Sequence, residues 1–151
     1  MVYKTQSSFY AKDRGQDWVQ IDATGKTLGR LSSEVAFILL GKHKVGYTPG
    51  VVTGDHVVVT GVEGMLSTGN KKENKLYHRH SRFSGGLKTI SLKQVLNEKP
   101  ERAVEWAVSK MLPRNKLRKQ LMSRLKIYPG AQHPHQAQKP VKIENVRGKA
   151  L

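Results

Sequence analysis

The most constraining feature of this chain is a change of period within its first third. Trp18-Val19-Gln20-Ile21 alternates as a strand does, whereas Leu28, Leu31, Val35, Ile38 and Leu39 recur at helical spacing up to Gly41, a residue suited to a left-handed helix cap. The next regular run, His56-Val57-Val58-Val59-Thr60-Gly61, is short, β-branched and continuous, the pattern of a strand buried on both faces. Strand, helix, strand in that order implies a crossover and therefore a parallel sheet, because parallel neighbours cannot be joined by a tight hairpin. The pattern predicts an α/β core.

The turn inside this unit, Asp22 to Leu31 ("DATGKTLGRL"), holds the triplet Gly25-Lys26-Thr27, which ends the phosphate-binding loop of many nucleotide hydrolases. That loop would need its first glycine at position 20, where Gln20 stands inside the strand, and only four residues separate Ile21 from Lys26. Thr24 or Thr27 as a helix cap accounts for the residues without a ligand. A nucleotide-binding enzyme using Gly25, Lys26 and Thr27 is therefore the runner-up reading.

Beyond the second strand, Met65 to Thr68 reads as a further short strand and Gly69 to Lys72 as a turn. Lys75 to Phe83 reads as an extended basic arm ending at Gly85-Gly86. Ser91 and Gln94 have the spacing of a capping box that starts a short helix through Leu96. Pro100 suits the first position of a second helix, whose Val104, Ala107, Val108, Met111 and Leu112 form a core-facing stripe before Pro113 stops it. Asn115 is placed to cap a third helix carrying Leu117, Leu121 and Leu125. From Gly130 onward Pro134, Pro140 and scattered polar residues predict a tail without a core of its own. The organisation expected is a single domain over residues 1–151, with a globular core at about 16–128 and an extended C-terminal tail at about 129–151.

Charge narrows the function. The chain has 27 Lys and Arg against 11 Asp and Glu, a net charge of +16. Residues 1–70 carry seven basic and six acidic side chains; residues 71–151 carry twenty and five. Such asymmetry costs self-repulsion unless a polyanion neutralises it. Tyr77, His78, His80, Phe83 and Tyr128 interleave with the cations, and planar groups stack on unpaired bases while Lys and Arg hold phosphates. RNA is the expected partner; no helix-turn-helix or zinc-finger pattern points to sequence-specific DNA recognition. The expected contacts fall in three groups. The first is Lys42, His43 and Lys44. The second is Lys71, Lys72, Lys75, His78, Arg79, His80, Arg82 and Lys88. The third is Arg114, Lys116, Arg118, Lys119, Arg124 and Lys126.

Other classes find little footing. Cysteine is absent, there is no G-x-S-x-G, and the acidic residues are scattered rather than paired, so no catalytic residue is expected. His78/His80 and His133/His135 could share a zinc ion, but neither pair has a nearby acidic residue at ligand spacing, and no metal or other cofactor is expected. The longest apolar run, Val35 to Leu40, falls far short of the ~20 residues of a membrane span, and Met1 to Tyr10 lacks the apolar core of a signal peptide. The chain reads as soluble, with no membrane partner and no homo-oligomer.

Four stretches together resemble the large-subunit ribosomal protein L-thirteen family of bacterial and organellar type. They are Trp18 to Leu31, Gly41 to Asp55 ("GKHKVGYTPGVVTGD"), Tyr77 to Lys88 ("YHRHSRFSGGLK") and Lys99 to Pro113 ("KPERAVEWAVSKMLP"), and the ending Leu125 to Pro140 is similar as well. The resemblance spans about residues 16–143; Lys110 and Gly50 depart from the family's usual Gly and His, and residues 144–151 look like an appendage. It implies a three-layer α/β core, a mostly parallel four-stranded sheet with helices on both faces, with basic loops and a C-terminal extension. It also implies a structural protein of the large ribosomal subunit, located in the cytoplasm or an organelle, that binds large-subunit rRNA beside neighbouring ribosomal proteins and acts early in assembly. Some relatives bind their own mRNA to repress translation, which makes that mRNA a further implied partner.

Overall fold

A computed structural model of the chain describes residues 15–143; the N-terminal stretch and the appendage 144–151 lie outside the described residues. Strand β1 is Trp18–Asp22, helix α1 Leu28–Leu40 and strand β2 His56–Thr60. β1 and β2 run parallel, with Trp18 opposite His56 and Asp22 opposite Thr60, and α1 is the crossover. Gly41 ends α1 in the left-handed region, at φ 76°, its N–H returned to the Ile38 carbonyl. The return to β2 passes so close to α1 that a Cβ on Gly54 would stand 1.8 Å from the Leu39 carbonyl oxygen, which only glycine tolerates. Thr27 occupies the N-cap position of α1 with extended backbone but makes no side-chain cap, and Thr24 instead donates its N–H to Asp22 Oδ1 at 2.9 Å. The expected threonine cap is thus a cap by position only.

Two further strands complete a four-stranded sheet in the order β5-β2-β1-β6, every neighbour parallel. This is the expected α/β sheet flanked by helices. Strand β5, Leu125–Ile127, adds to β2, and β6, Val141–Lys142, adds to β1. Both correct expectations. Leu125 and Lys126 continue a helical spacing from Leu117 and Leu121, yet helix α5 spans only Leu117–Ser123 and the chain then pairs with the open edge at Val57–Val59. Lys116, not Asn115, stands at the α5 N-cap, without a side-chain cap. Residues 129–143 do not simply trail away, because Val141 and Lys142 lie on the β1 edge and Ile143 N–H donates to the Gln20 carbonyl at 2.9 Å.

Val19, Ile21, Val57 and Val59 point from the sheet into the main core, where they meet Leu31, Val35, Ile38 and Leu39 of α1. Helix α4, Pro100–Met111, adds Val104 and Val108, and α5 adds Leu121. Fully burying one such aliphatic side chain contributes about 1.5–3 kcal/mol, so this layer dominates the stability. Met111, placed by its spacing on the core stripe, is instead 45% exposed at the end of α4, while Leu112 beyond it is buried. On the opposite face Trp18 stacks on its neighbour His56 at 4.5 Å and meets His135, carried by a short 3-10 turn at His135–Gln138, so the tail covers this face.

The stretch between β2 and α4 departs most from expectation. Met65–Thr68 forms only a single parallel bridge, Leu66 with Thr27, and the following turn runs into a one-turn helix α2, Lys71–Asn74. The basic arm is no single extended strand: β3, Leu76–His80, pairs antiparallel with β4, Leu87–Ser91, through a turn at Gly85-Gly86. Ser91 then caps α3, Leu92–Glu98, its hydroxyl accepting the Gln94 N–H as expected, though the Gln94 side chain turns forward to Glu98. Tyr77 and Ile90 seat the hairpin's base on a second small core of Leu92, Val95 and Ala103, with the Tyr77 ring 4.9 Å from Trp106.

Candidate nucleic-acid interface

The three expected contact groups meet different fates. Lys42 is exposed in the loop after α1, but its neighbours turn inward. His43 Nε2 lies 2.7 Å from Asp55 Oδ2 and Lys44 Nζ pairs with Asp55 Oδ1, while Lys44 also donates to the Gly15 carbonyl at 2.8 Å. Asp55 is 2% exposed and accepts the Asp17 N–H as well. Burial pushes its carboxyl up, but the hydrogen bonds from His43, Lys44 and Asp17 outweigh that and hold it below the usual carboxylate range. His43 and Lys44 are therefore committed to tying the loop to the head of β2, and only Lys42 of that group faces outward.

The second group is assembled by the hairpin. Lys71 and Lys72 on α2, Lys75, His78, Arg79, His80, Arg82 and Lys88 are all exposed, and no carboxylate lies in the sequence between Glu73 and Glu98. Arg79 and Lys88 stand directly opposite each other in the strand register. His78 Nδ1 lies 2.9 Å from the Thr89 hydroxyl, which fixes its ring across the strands. At the tip Arg82 takes a left-handed φ of 69°, rare for a side chain of this size, and donates its N–H to His80 Nδ1 at 2.9 Å. Phe83 beside it is 77% exposed. Lys75 Nζ and Lys110 Nζ lie 5.4 Å and 5.7 Å from the centre of the Tyr77 ring, whose hydroxyl burial pushes up. Lys110 was not among the expected contacts; its place four residues after Trp106 on one helix face is the signal that would have found it.

The third group divides. Arg114, Lys116 and Lys119 are exposed around the start of α5, and with Arg118 they line a shallow groove over Met122. Arg118 is half-buried, its Nε donating to the Pro113 carbonyl at 3.1 Å. Arg124 turns inward to donate to the Gly54 carbonyl, and its partial burial lowers the proton affinity of its guanidinium. Lys126 is half-buried in β5. Arg124 thus braces the same loop that His43 and Lys44 hold.

At the Gly25-Lys26-Thr27 turn, Lys26 Nζ pairs with Glu34 Oε2 at 3.2 Å. Among the described residues no three of His, Asp and Glu gather as a metal site, and no helix is long and apolar enough to cross a membrane.

Comparison with known proteins agrees with the sequence resemblance. The profile of the family described as "Ribosomal protein L13" matches residues 16–134. The chain is similar to "Large ribosomal subunit protein uL13" of Hahella chejuensis, 50% identical over 85% of this chain and 91% of that protein. The proteins of the same description from Vibrio campbellii and Natranaerobius thermophilus are 53% and 54% identical, over 83% and 82% of this chain and 88% and 86% of theirs.

Proposed function

Because the chain belongs to the ribosomal protein L13 family, we propose that it serves as a non-catalytic structural constituent of the large ribosomal subunit, binding large-subunit rRNA beside neighbouring ribosomal proteins and helping the rRNA reach its assembled arrangement. The parallel sheet and its helices act as a rigid platform. From it project the hairpin, with α2 at its base, and the α4–α5 corner, and these hold phosphates of different rRNA segments.

The observation that carries this reading is the Arg79–Lys88 pair. Like charges placed directly across two strands destabilise a hairpin, and among the described residues no carboxylate forms an ion pair with either, so the arrangement makes sense against a polyanion. Such a surface binds chiefly by releasing counterions from phosphates. The decisive experiment is titration of the isolated full chain on a large-subunit rRNA fragment: roughly 6–10 phosphate contacts would lose about 10³–10⁵ in affinity between ~50 and ~200 mM salt. Failure to co-sediment with the large subunit, or a flat salt response, would overturn the reading.

A further inference from the structure

Beside the hairpin lies a groove of about 1030 Å³ between the first turn of α1, the segment from Leu66 to Lys75 and the last turn of α4. Its floor is apolar, from Leu28, Leu66, Leu92 and Met111, and two of these are left open to solvent, Leu66 by 54% and Met111 by 45%. Its rim carries Arg30, Lys71, Lys75 and Lys110, all exposed, and no lining residue is a carboxylate. Ser67, Thr68, Asn70 and Asn74 supply uncharged hydrogen-bonding groups along one wall.

Gly29 adds an independent sign that something approaches here. It sits in the first turn of a thirteen-residue helix, where glycine costs backbone entropy that alanine would save, and a Cβ built on it meets nothing within 4 Å. Nothing inside the described protein requires a glycine at that place, whereas a partner lying close against the backbone would.

We propose that this groove seats a short unpaired stretch of the rRNA, with bases against Leu66 and Met111 and phosphates on Arg30, Lys71, Lys75 and Lys110. Four cations without a carboxylate call for an anionic occupant, and the apolar floor selects among anions. A duplex presents phosphate and ribose to its surroundings and keeps its bases stacked inside, so it leaves such a floor uncovered; an unpaired base offers an apolar face and a polar edge together. Lys75 lines the groove and directly precedes β3 of the hairpin, so one strand can pass from the hairpin's cations into the groove. The proposal rests on the RNA-binding reading above.

The chain contains no cysteine, so Met111→Cys in the full chain gives a unique attachment point for a photoactivated aryl azide, and Lys88→Cys on the hairpin gives the reference. Each is reconstituted into large subunits and irradiated. The probe at position 111 is expected to cross-link to rRNA nucleotides that are unpaired. Cross-linking from 111 to a protein, to base-paired nucleotides or to nothing overturns the proposal. If the probe at 88 still reaches rRNA, the RNA-binding reading survives that loss; if neither does, both fall. In solution, Gly29→Leu is expected to bind the rRNA fragment roughly tenfold more weakly with thermal melting unchanged or raised. Arg30→Ala and Lys110→Ala should each reduce the slope of log affinity against log salt by about 0.7, the value for one phosphate on a single strand. Unchanged affinity and slope in all three variants also overturns the groove as a binding site.

Discussion

His43 Nε2 stands 2.7 Å from Oδ2 of Asp55, a carboxylate at the head of β2 that is almost wholly out of solvent. Lys44 closes on the other oxygen of the same group. A basic cluster that reads in the sequence as bait for phosphate is thus largely an internal clamp, and this sets the first expectation. Asp55→Asn leaves Lys44 and His43 facing a neutral amide and should lower stability by about 2–3 kcal/mol, since Lys44 retains some solvent. In thermal unfolding that is on the order of 5–10 °C; a shift under about 1 °C would show the clamp to be decorative.

Acid should weaken the fold in two stages. Burial lowers the proton affinity of His56, and the nearby Arg124 and Lys126 act in the same direction, so its folded value lies below the ordinary 6.5. A base depressed in this way is protonated more readily in the unfolded chain, so stability present above about pH 6.5 declines as pH falls through the window below it. Asp55, depressed below 3.8, contributes stability above that value which is lost as pH drops toward its folded value. Melting temperatures between pH 7.5 and 5 should fall for the wild type and flatten in His56→Gln; equal slopes in both would refute the assignment to His56.

Charge reversal at the hairpin should separate stability from binding. Lys88→Glu puts a carboxylate opposite Arg79 and should stabilise the hairpin by about 0.2–1 kcal/mol while weakening rRNA binding and reducing the salt slope by about one unit or more. Lys44→Ala should do the reverse, lowering the melting temperature and leaving the slope unchanged. Titrations at several salt concentrations beside thermal melts decide it, and a slope that responds to Lys44 but not to Lys88 contradicts the proposed division of labour.

The tip offers a similar opposition. Arg82 holds a left-handed backbone that costs a non-glycine residue about 1–2 kcal/mol; Arg82→Gly relieves that strain but returns about 0.4–1 kcal/mol as extra freedom of the unfolded chain, so stability should hold or rise slightly while rRNA affinity falls through the missing cation. Loss of stability instead would mean that the Arg82 side chain holds the tip together.

Nucleotide binding by the Gly25-Lys26-Thr27 turn is expected to be absent. Equilibrium dialysis with labelled ATP and GTP should retain neither, and Lys26→Ala should change nothing in that assay; retention abolished by the substitution would restore the enzyme reading.

Local pattern alone determined a good deal of this protein. The shift from alternation at Trp18–Ile21 to helical spacing through Leu39, the continuous valines of β2, the Ser91 cap and the Pro100 start are each stated within a few residues, and the backbone has little choice but to follow. The polycationic second half made a polyanion the expected partner, because net charge needs no coordinates. Tertiary structure decided whatever depended on an edge or a neighbour. Strands β5 and β6 are three and two residues long, too short to state a period, and exist because β2 and β1 left unpaired backbone groups beside them. The β3–β4 hairpin is exposed at seven of its ten strand residues, so it has no apolar alternation to read. The sorting of cations was likewise beyond sequence: His43, Lys44 and Arg124 look like Lys42 and Arg79 on paper, and only the position of Asp55 and the Gly54 carbonyl, brought close by the crossover, turned them inward.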